Sequence, residues 1–250
     1  MNFAAMAPWL VYFQQGVIYT ILLSLCTVAI GFVLALLLAL MRISNLCPFR
    51  FLSKSNNSFF RLLSRFNPIS FLAGAYIEVF RCTPMLVQLY LIFFVVFGGN
   101  GLTAPEFTLF GFIQGGRFIP GIVALSLNSA AYVAEIVRAG IQGIDYGQTE
   151  AARSLGLTKL QTMWHIVLPQ AIRNILPAIA NEFVVIIKES SVCSVLGMQE
   201  IMYNAKLVQG ATFMPVEPLV IAAGLYFCLT FPASKVIQYF ERRMSRGYQR

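Results

Sequence analysis

The chain carries no Asp, Glu, Lys, Arg or His before Arg42, and this charge-free segment ends in a predominantly apolar run over residues 17–41. About 25 such residues exceed the roughly 20 that a helix needs to cross the hydrocarbon core of a bilayer. Nothing basic precedes the run, and it is longer than the roughly 7–15 residues of a secretory signal core, so it reads as a transmembrane helix retained in the mature chain. Composition extends the constraint to the whole sequence. Of 250 residues, 58% are hydrophobic and 11% charged, against about 25% charged in a soluble globule. The same apolarity excludes disorder, and five scattered cysteines do not make a disulfide framework.

Further apolar stretches over residues 69–97, 119–137, 175–196 and 218–237 bring the expected spans to about five. An odd number puts the termini on opposite sides, and the basic residues orient them. Arg42, Arg50, Lys54, Arg61, Arg65 and Arg81 flank the first connection; Arg138, Arg153, Lys159 and Arg173 surround the third; Lys235, Arg242, Arg243, Arg246 and Arg250 close the tail. Fifteen of the eighteen basic residues thereby fall on one side, leaving Arg117 and Lys206 opposite and Lys188 within a span. The expectation is an all-α polytopic membrane protein, one transmembrane domain over residues 1–250, with the N-terminus outside and the C-terminus cytoplasmic. The net charge of +8 is then accounted for by loops beside an anionic leaflet, without nucleic acid. Cys26, Cys47, Cys82, Cys193 and Cys228 fall in spans or on the cytoplasmic side, where they read as small apolar filler.

Residues 42–68, rich in Ser and Asn between basic residues, read as a flexible cytoplasmic linker. The connection 139–173 is patterned like structure instead. Asp145 and Gly147 can start a short helix in which Glu150 and Arg153 pair, and Gly156 can end it in the left-handed conformation. Thr158 can cap a second helix whose Leu160, Met163, Trp164 and Val167 share an apolar face, before Pro169 interrupts it. Such a hairpin is either an interfacial anchor with Trp164 at headgroup depth or a docking knob for a cytoplasmic partner. His165, the lone histidine, has no cysteine or carboxylate at ligand spacing, so no metal site is expected. The Gly-rich loop from Gly98 to Gly116 lacks a strand-to-helix setting for phosphate and reads as a receptor surface or a plain connector.

Glu150-Ala151-Ala152, Gly156, Ile166, Leu168 and Pro169 fit the spacing E-A-A-x3-G-x9-I-x-L-P, which resembles the EAA loop of ATP-binding-cassette (ABC) importer permeases. The segment from Tyr76 to Gln88 (YIEVFRCTPMLVQ), the stretch from Leu127 to Glu135 (LNSAAYVAE) and that from Ile187 to Val192 (IKESSV) are similar to segments of bacterial polar amino acid permeases. Cys82 stands where that family usually has Gly, and Asp145 where it often has Pro. The resemblance implies a type I ABC importer permease fold in the bacterial cytoplasmic membrane. It also implies a second permease subunit (homo- or heterodimer), an ABC ATPase dimer that holds ATP and Mg, an extracytoplasmic solute-binding protein and an amino acid substrate. No cofactor is expected in this chain, whose sequence has no G-x-x-x-x-G-K-[ST] phosphate loop, so it is expected not to be an enzyme.

In that setting Glu150, Ala151, Ala152, Gly156, Leu168 and Pro169 are expected to couple the chain to the ATPase. Ionisable groups inside spans cost about 2.5–3.5 kcal/mol each on insertion scales and need a reason to be there. Asn128 with Glu135, and Glu182 with Glu189, share helix faces, with Asn181 and Lys188 on a neighbouring stripe. Asn128, Glu135, Lys188 and Glu189 are either structural, with Glu135 paired to Arg138 and Lys188 to a carboxylate, or part of the pathway. Glu182 has no basic residue at i±3 or i±4, which suits an ammonium or a cationic side chain such as that of arginine, lysine or histidine. Together with the resemblance, this nominates Thr83, Pro84, Gln88, Asn181 and Glu182 for substrate. A self-powered secondary transporter or channel would need internally repeated spans, and an integral-membrane enzyme a clustered catalytic set; the sequence displays neither.

Overall fold

The computed structural model of the chain describes residues 2–44, 66–99 and 101–245. Most of the predicted linker, including Arg50, Lys54, Arg61, Arg65 and Cys47, lies outside the described residues, as do Arg246 and Arg250.

A 3-10 turn over Phe3–Trp9 leads into α1, Leu10–Ile43, a helix longer than the span read from the sequence. With no charge before Arg42, α1 has no charged face; its Thr20, Ser24 and Thr27 are turned inward and buried, and Arg42 sits in its last turn where a cation is favoured. Its main partner is α4, Gly115–Gln142, and small residues set how closely the two approach: Ala35 and Ala39 pack in one core with Ala130 and Ala134. A Cβ on Gly31 would lie 3.3 Å from the Ser126 carbonyl oxygen and from the Ser129 side chain. α4 is the central helix, buried along most of its length.

The second predicted span is broken. α2, Pro68–Cys82, starts on an Asn67 cap with Pro68 in its first turn, and it stops because Pro84 carries no N–H and forces Thr83 into extended backbone. The chain restarts as α3, Met85–Leu91, continues through a π turn, Ile92–Val96, and leaves the α2 direction by 111°. A short ribbon pairs β1, Thr108–Leu109, antiparallel with β2, Ile113–Gln114, around Phe110 and Gly111, both at positive φ, and runs straight into α4.

α5, Tyr146–Ser154, and α6, Lys159–Thr162, form the predicted hairpin. Pro169 does not break the helical path: α6 passes through a π turn, Met163–Val167, into α7, Leu168–Glu189, and a 3-10 turn, Ser190–Leu196. Pro169 occupies the first turn of α7, where a missing N–H costs little, and the Leu168 N–H reaches the Met163 carbonyl across the wide turn. α8, Ile201–Thr212, and α9, Glu217–Ser245, complete the chain.

By length and apolarity three stretches could cross a membrane among the described residues, Phe3–Ile43, Gly115–Gln142 and Glu217–Met244, or four if the bent pair is one span. The predicted span over 175–196 is not among them, because α7 carries Arg173, Asn174, Asn181, Glu182, Lys188 and Glu189. A closed polar cluster ties α8 to α9. The fully buried Glu200 carboxylate accepts from the Met202 and Tyr203 N–H groups at the start of α8, at 2.8 and 2.6 Å, and from the Tyr226 hydroxyl of α9 at 2.5 Å. The Asn2 N–H donates to Glu217 at 2.9 Å, fastening the N-terminus to the start of α9.

Candidate functional site

Two places gather the residues singled out by sequence. At the first, α4 presents Asn128, Tyr132 and Glu135 to the corner between α2 and α3. The Tyr76 hydroxyl of α2 donates to the Leu127 carbonyl at 2.8 Å, and the Asn128 amide donates to Gln88 Oε1 of α3 at 2.8 Å. The Arg81 guanidinium stands over the Tyr132 ring, 5.8 Å from its centre, and 3.9 Å from the Glu135 carboxylate. Glu135 also takes two hydrogen bonds from Arg138, the pairing expected from the sequence.

Thr83 and Gln88 are engaged with each other and with the backbone at the end of α2. Gln88 Nε2 donates to the Phe80 carbonyl at 2.8 Å, to the Thr83 carbonyl at 3.0 Å and to Thr83 Oγ1 at 2.8 Å, while Thr83 Oγ1 donates to the Val79 carbonyl at 2.7 Å. Pro84 lies exposed at the bend. Asn181 and Glu182 sit on α7, apart from this corner: Asn181 lines a cavity of about 480 Å³ with Arg173, Asn174, Ser234, Gln238 and Glu241, between α7 and α9. Glu182 is half-buried and does not line it; its electrostatic neighbours are Ser129 of α4 and Glu189. Lys188 is exposed and forms no ion pair within 4.0 Å among the described residues.

The second place is the hairpin. Asp145 caps α5 by accepting from the Gly147 N–H at 2.8 Å, and Thr158 and Gln161 form a reciprocal capping box on α6. Between the helices Gly156 adopts φ +84°, the Leu157 N–H bonds the Ala152 carbonyl at 3.1 Å and the Gly156 N–H bonds the Arg153 carbonyl at 3.0 Å, which is a Schellman turn. Glu150 and Ala151 are exposed, whereas Ala152 is buried inside the hairpin; Leu168 is half-buried and Pro169 exposed. The expected Glu150–Arg153 pair is not formed within 4.0 Å, and of the apolar face expected on the second helix Leu160 and Trp164 point outward. Sequence reasoning passed over Tyr146 and Leu155, which are 72% and 84% exposed at the two ends of α5. Large apolar side chains in a short helix flanked by polar residues were the available signal. It likewise passed over Tyr76, Arg81 and Tyr132, whose partners are distant in sequence.

Four of the cysteines are described, Cys26, Cys82, Cys193 and Cys228, and all are free thiols. No group of His, Cys, Asp or Glu suited to a metal ion occurs among the described residues.

Long apolar helices, a proline-broken span and a separately capped helical hairpin define the class as a multi-pass helical membrane protein. The sequence matches the family described as binding-protein-dependent transport system inner membrane component over residues 58–246. It is 36% identical over 244 residues, 98% of this chain and 97% of the relative, to an arginine transport system permease protein of Bacillus subtilis (strain 168). It is 34% identical to a probable glutamine ABC transporter permease of the same organism, covering 94% of each chain. A solved structure of an amino acid ABC transporter with histidines superposes with a TM-score of 0.81 at 40% identity, over 97% of this chain and 99% of that one. The inward-facing MetNI methionine ABC transporter shares the fold alone, with a TM-score of 0.62 at 18% identity over 93% of this chain and 98% of that one. The chain belongs to the inner membrane component family of binding-protein-dependent transport systems, and it is an ABC importer permease.

Proposed function

We propose that this chain is the membrane subunit of an importer for polar amino acids and that it takes its energy from ATP hydrolysed on a separate ABC ATPase dimer. The observation that carries the reading is the hairpin, whose helices are capped at both starts and joined by a Schellman turn, with Glu150, Ala151, Tyr146 and Leu155 on its open surface. A short helix held this firmly and left uncovered is a knob shaped for a partner, not a loop. It is rooted in α4 on one side and α7 on the other, so displacement of the knob moves both helices.

In the arrangement this reading requires, the hairpin faces the cytoplasm, the N-terminus lies outside, and α7 makes a fifth crossing. Its polar residues then face protein or water instead of lipid. A second permease subunit and an extracytoplasmic solute-binding protein complete the assembly in the bacterial cytoplasmic membrane. Relatives named for arginine and glutamine transport support a polar amino acid as cargo. The cavity between α7 and α9 suits one: Arg173 offers a cation to an α-carboxylate, and Asn174, Asn181, Ser234 and Gln238 offer amides and a hydroxyl. Glu182, half-buried one residue from this lining, is the candidate for discriminating cationic side chains.

Reconstitution with the ATPase and binding protein in vesicles tests the reading by amino-acid-dependent ATP hydrolysis and uptake over arginine, lysine, histidine and glutamine. Uptake of none of these by an assembled complex overturns the cargo. Unaltered arginine uptake by Glu182→Gln overturns its role in selectivity.

A further inference from the structure

We propose that Asn128 and Gln88 form a strut through which α4 grips both arms of the broken span, so that the corner at Thr83 and Pro84 travels with α4 as one body. The inference rests on the permease reading and assigns these residues to positioning instead of to ligand.

The need for the strut arises from the break. Pro84 has no N–H, so the Phe80 carbonyl four residues earlier loses its helical donor, and the extended Thr83 withdraws from the Val79 carbonyl. In a membrane an unsatisfied carbonyl costs several kcal/mol. Two side chains supply the missing donors: Thr83 Oγ1 bonds Val79 O at 2.7 Å, and Gln88 Nε2 bonds Phe80 O at 2.8 Å. Gln88 is only 6% exposed, and its one remaining polar atom, Oε1, is taken by the Asn128 amide, itself 4% exposed. One side chain therefore patches the end of α2, belongs to α3 and is held by α4.

A second tie makes this a clamp. Tyr76, on the α2 arm, bonds the Leu127 carbonyl, so consecutive residues of α4 hold the arm before the bend and the arm after it. One and two turns further along α4, Tyr132 and Glu135 receive Arg81 from the end of α2. From Asn128 the helix continues without interruption to Gln142, about 21 Å at the α-helical rise, and ends at the root of the hairpin. Movement that reaches the Gln142 end of α4 is thereby delivered to the corner along a single rigid helix.

The test uses the complete transporter in vesicles and reads amino acid moved per ATP hydrolysed. Asn128→Ala should lower that ratio about tenfold, the factor by which losing one buried hydrogen bond favours a corner detached from α4. The KM for the amino acid should stay within about twofold, since no ligand contact is removed. Gln88→Ala added to Asn128→Ala should cost less than the product of the two single losses, because they cut one strut. Losses that multiply independently, a deficit recovered by raising the amino acid concentration, or a wild-type ratio in Asn128→Ala each overturn the strut. Should the alanine variants fail to assemble, spin labels carried by noncanonical residues at the exposed positions 72 and 94 of the otherwise unaltered chain decide it. Their separation should be the same in nucleotide-free and ATP-trapped complexes, and a change in it overturns the rigid corner. A wild-type complex that hydrolyses ATP and moves no amino acid defeats the permease reading itself, an outcome distinct from all of these.

Discussion

The Tyr226 hydroxyl donates to the Glu200 carboxylate at 2.5 Å across the α8–α9 contact, and the same carboxylate caps α8 through two backbone N–H groups. A buried carboxylate is tolerable because hydrogen bonds satisfy it, so removing one donor should be costly out of proportion to the atom lost.

Tyr226→Phe keeps the ring and deletes that donor. It should destabilise the chain by about 1–3 kcal/mol. Thermal unfolding of the purified protein in detergent reads this as a lowered midpoint, and an unchanged midpoint would show that Glu200 finds water instead.

Gly156 turns the hairpin at φ +84°, a region where a Cβ costs about 1–2 kcal/mol. No other atom stands within 4 Å of where that Cβ would go, so Gly156→Ala isolates backbone strain from crowding. Weaker capture of the ATPase from membranes is expected, with the level of the permease itself little altered. Equal capture would mean that the turn adapts.

Gly31 separates α1 from α4 by less than a side chain. Alanine needs its neighbours to give only a few tenths of an ångström, whereas Gly31→Val should cost about 1–3 kcal/mol through overpacking. Detergent half-lives should therefore fall in the order Gly, Ala, Val. A valine variant as durable as the parent would contradict the close approach.

The Arg81–Glu135 contact, 3.9 Å long and partly exposed, is a weak tie. A double-mutant cycle with Arg81→Gln and Glu135→Gln should give a coupling of less than about 1 kcal/mol that shrinks in salt. A larger, salt-independent value would mean that the pair is shielded in the assembled transporter.

What the sequence revealed divides by distance along the chain. The caps at Asp145 and Thr158, the glycine turn and the Glu135–Arg138 pair were legible because cause and effect lie within four residues. The existence of α1 was legible because nothing charged interrupts it, but its start was not: the helix begins at Leu10, ahead of the expected residue 17. Thr83 and Gln88 were nominated for substrate through the family resemblance, and the contact between Gln88 and Asn128 was not legible because those residues lie forty apart in sequence. Glu200 went unremarked for the same reason, its donor lying 26 residues further on. Pro169 misled in the opposite direction: proline normally ends a helix, but a π turn placed just before it absorbs the missing donor.

That π turn has a mechanical corollary. Because helical backbone is continuous from Lys159 to Leu196, the second limb of the hairpin has no slack where it enters the bundle. The first limb does, since residues 143–145 separate α4 from α5. A push on the knob therefore arrives with unequal stiffness: it is transmitted promptly as torque along α7 and only after a bend at Gly143 along α4. The two sides of the bundle would then respond in sequence, one leading and one following.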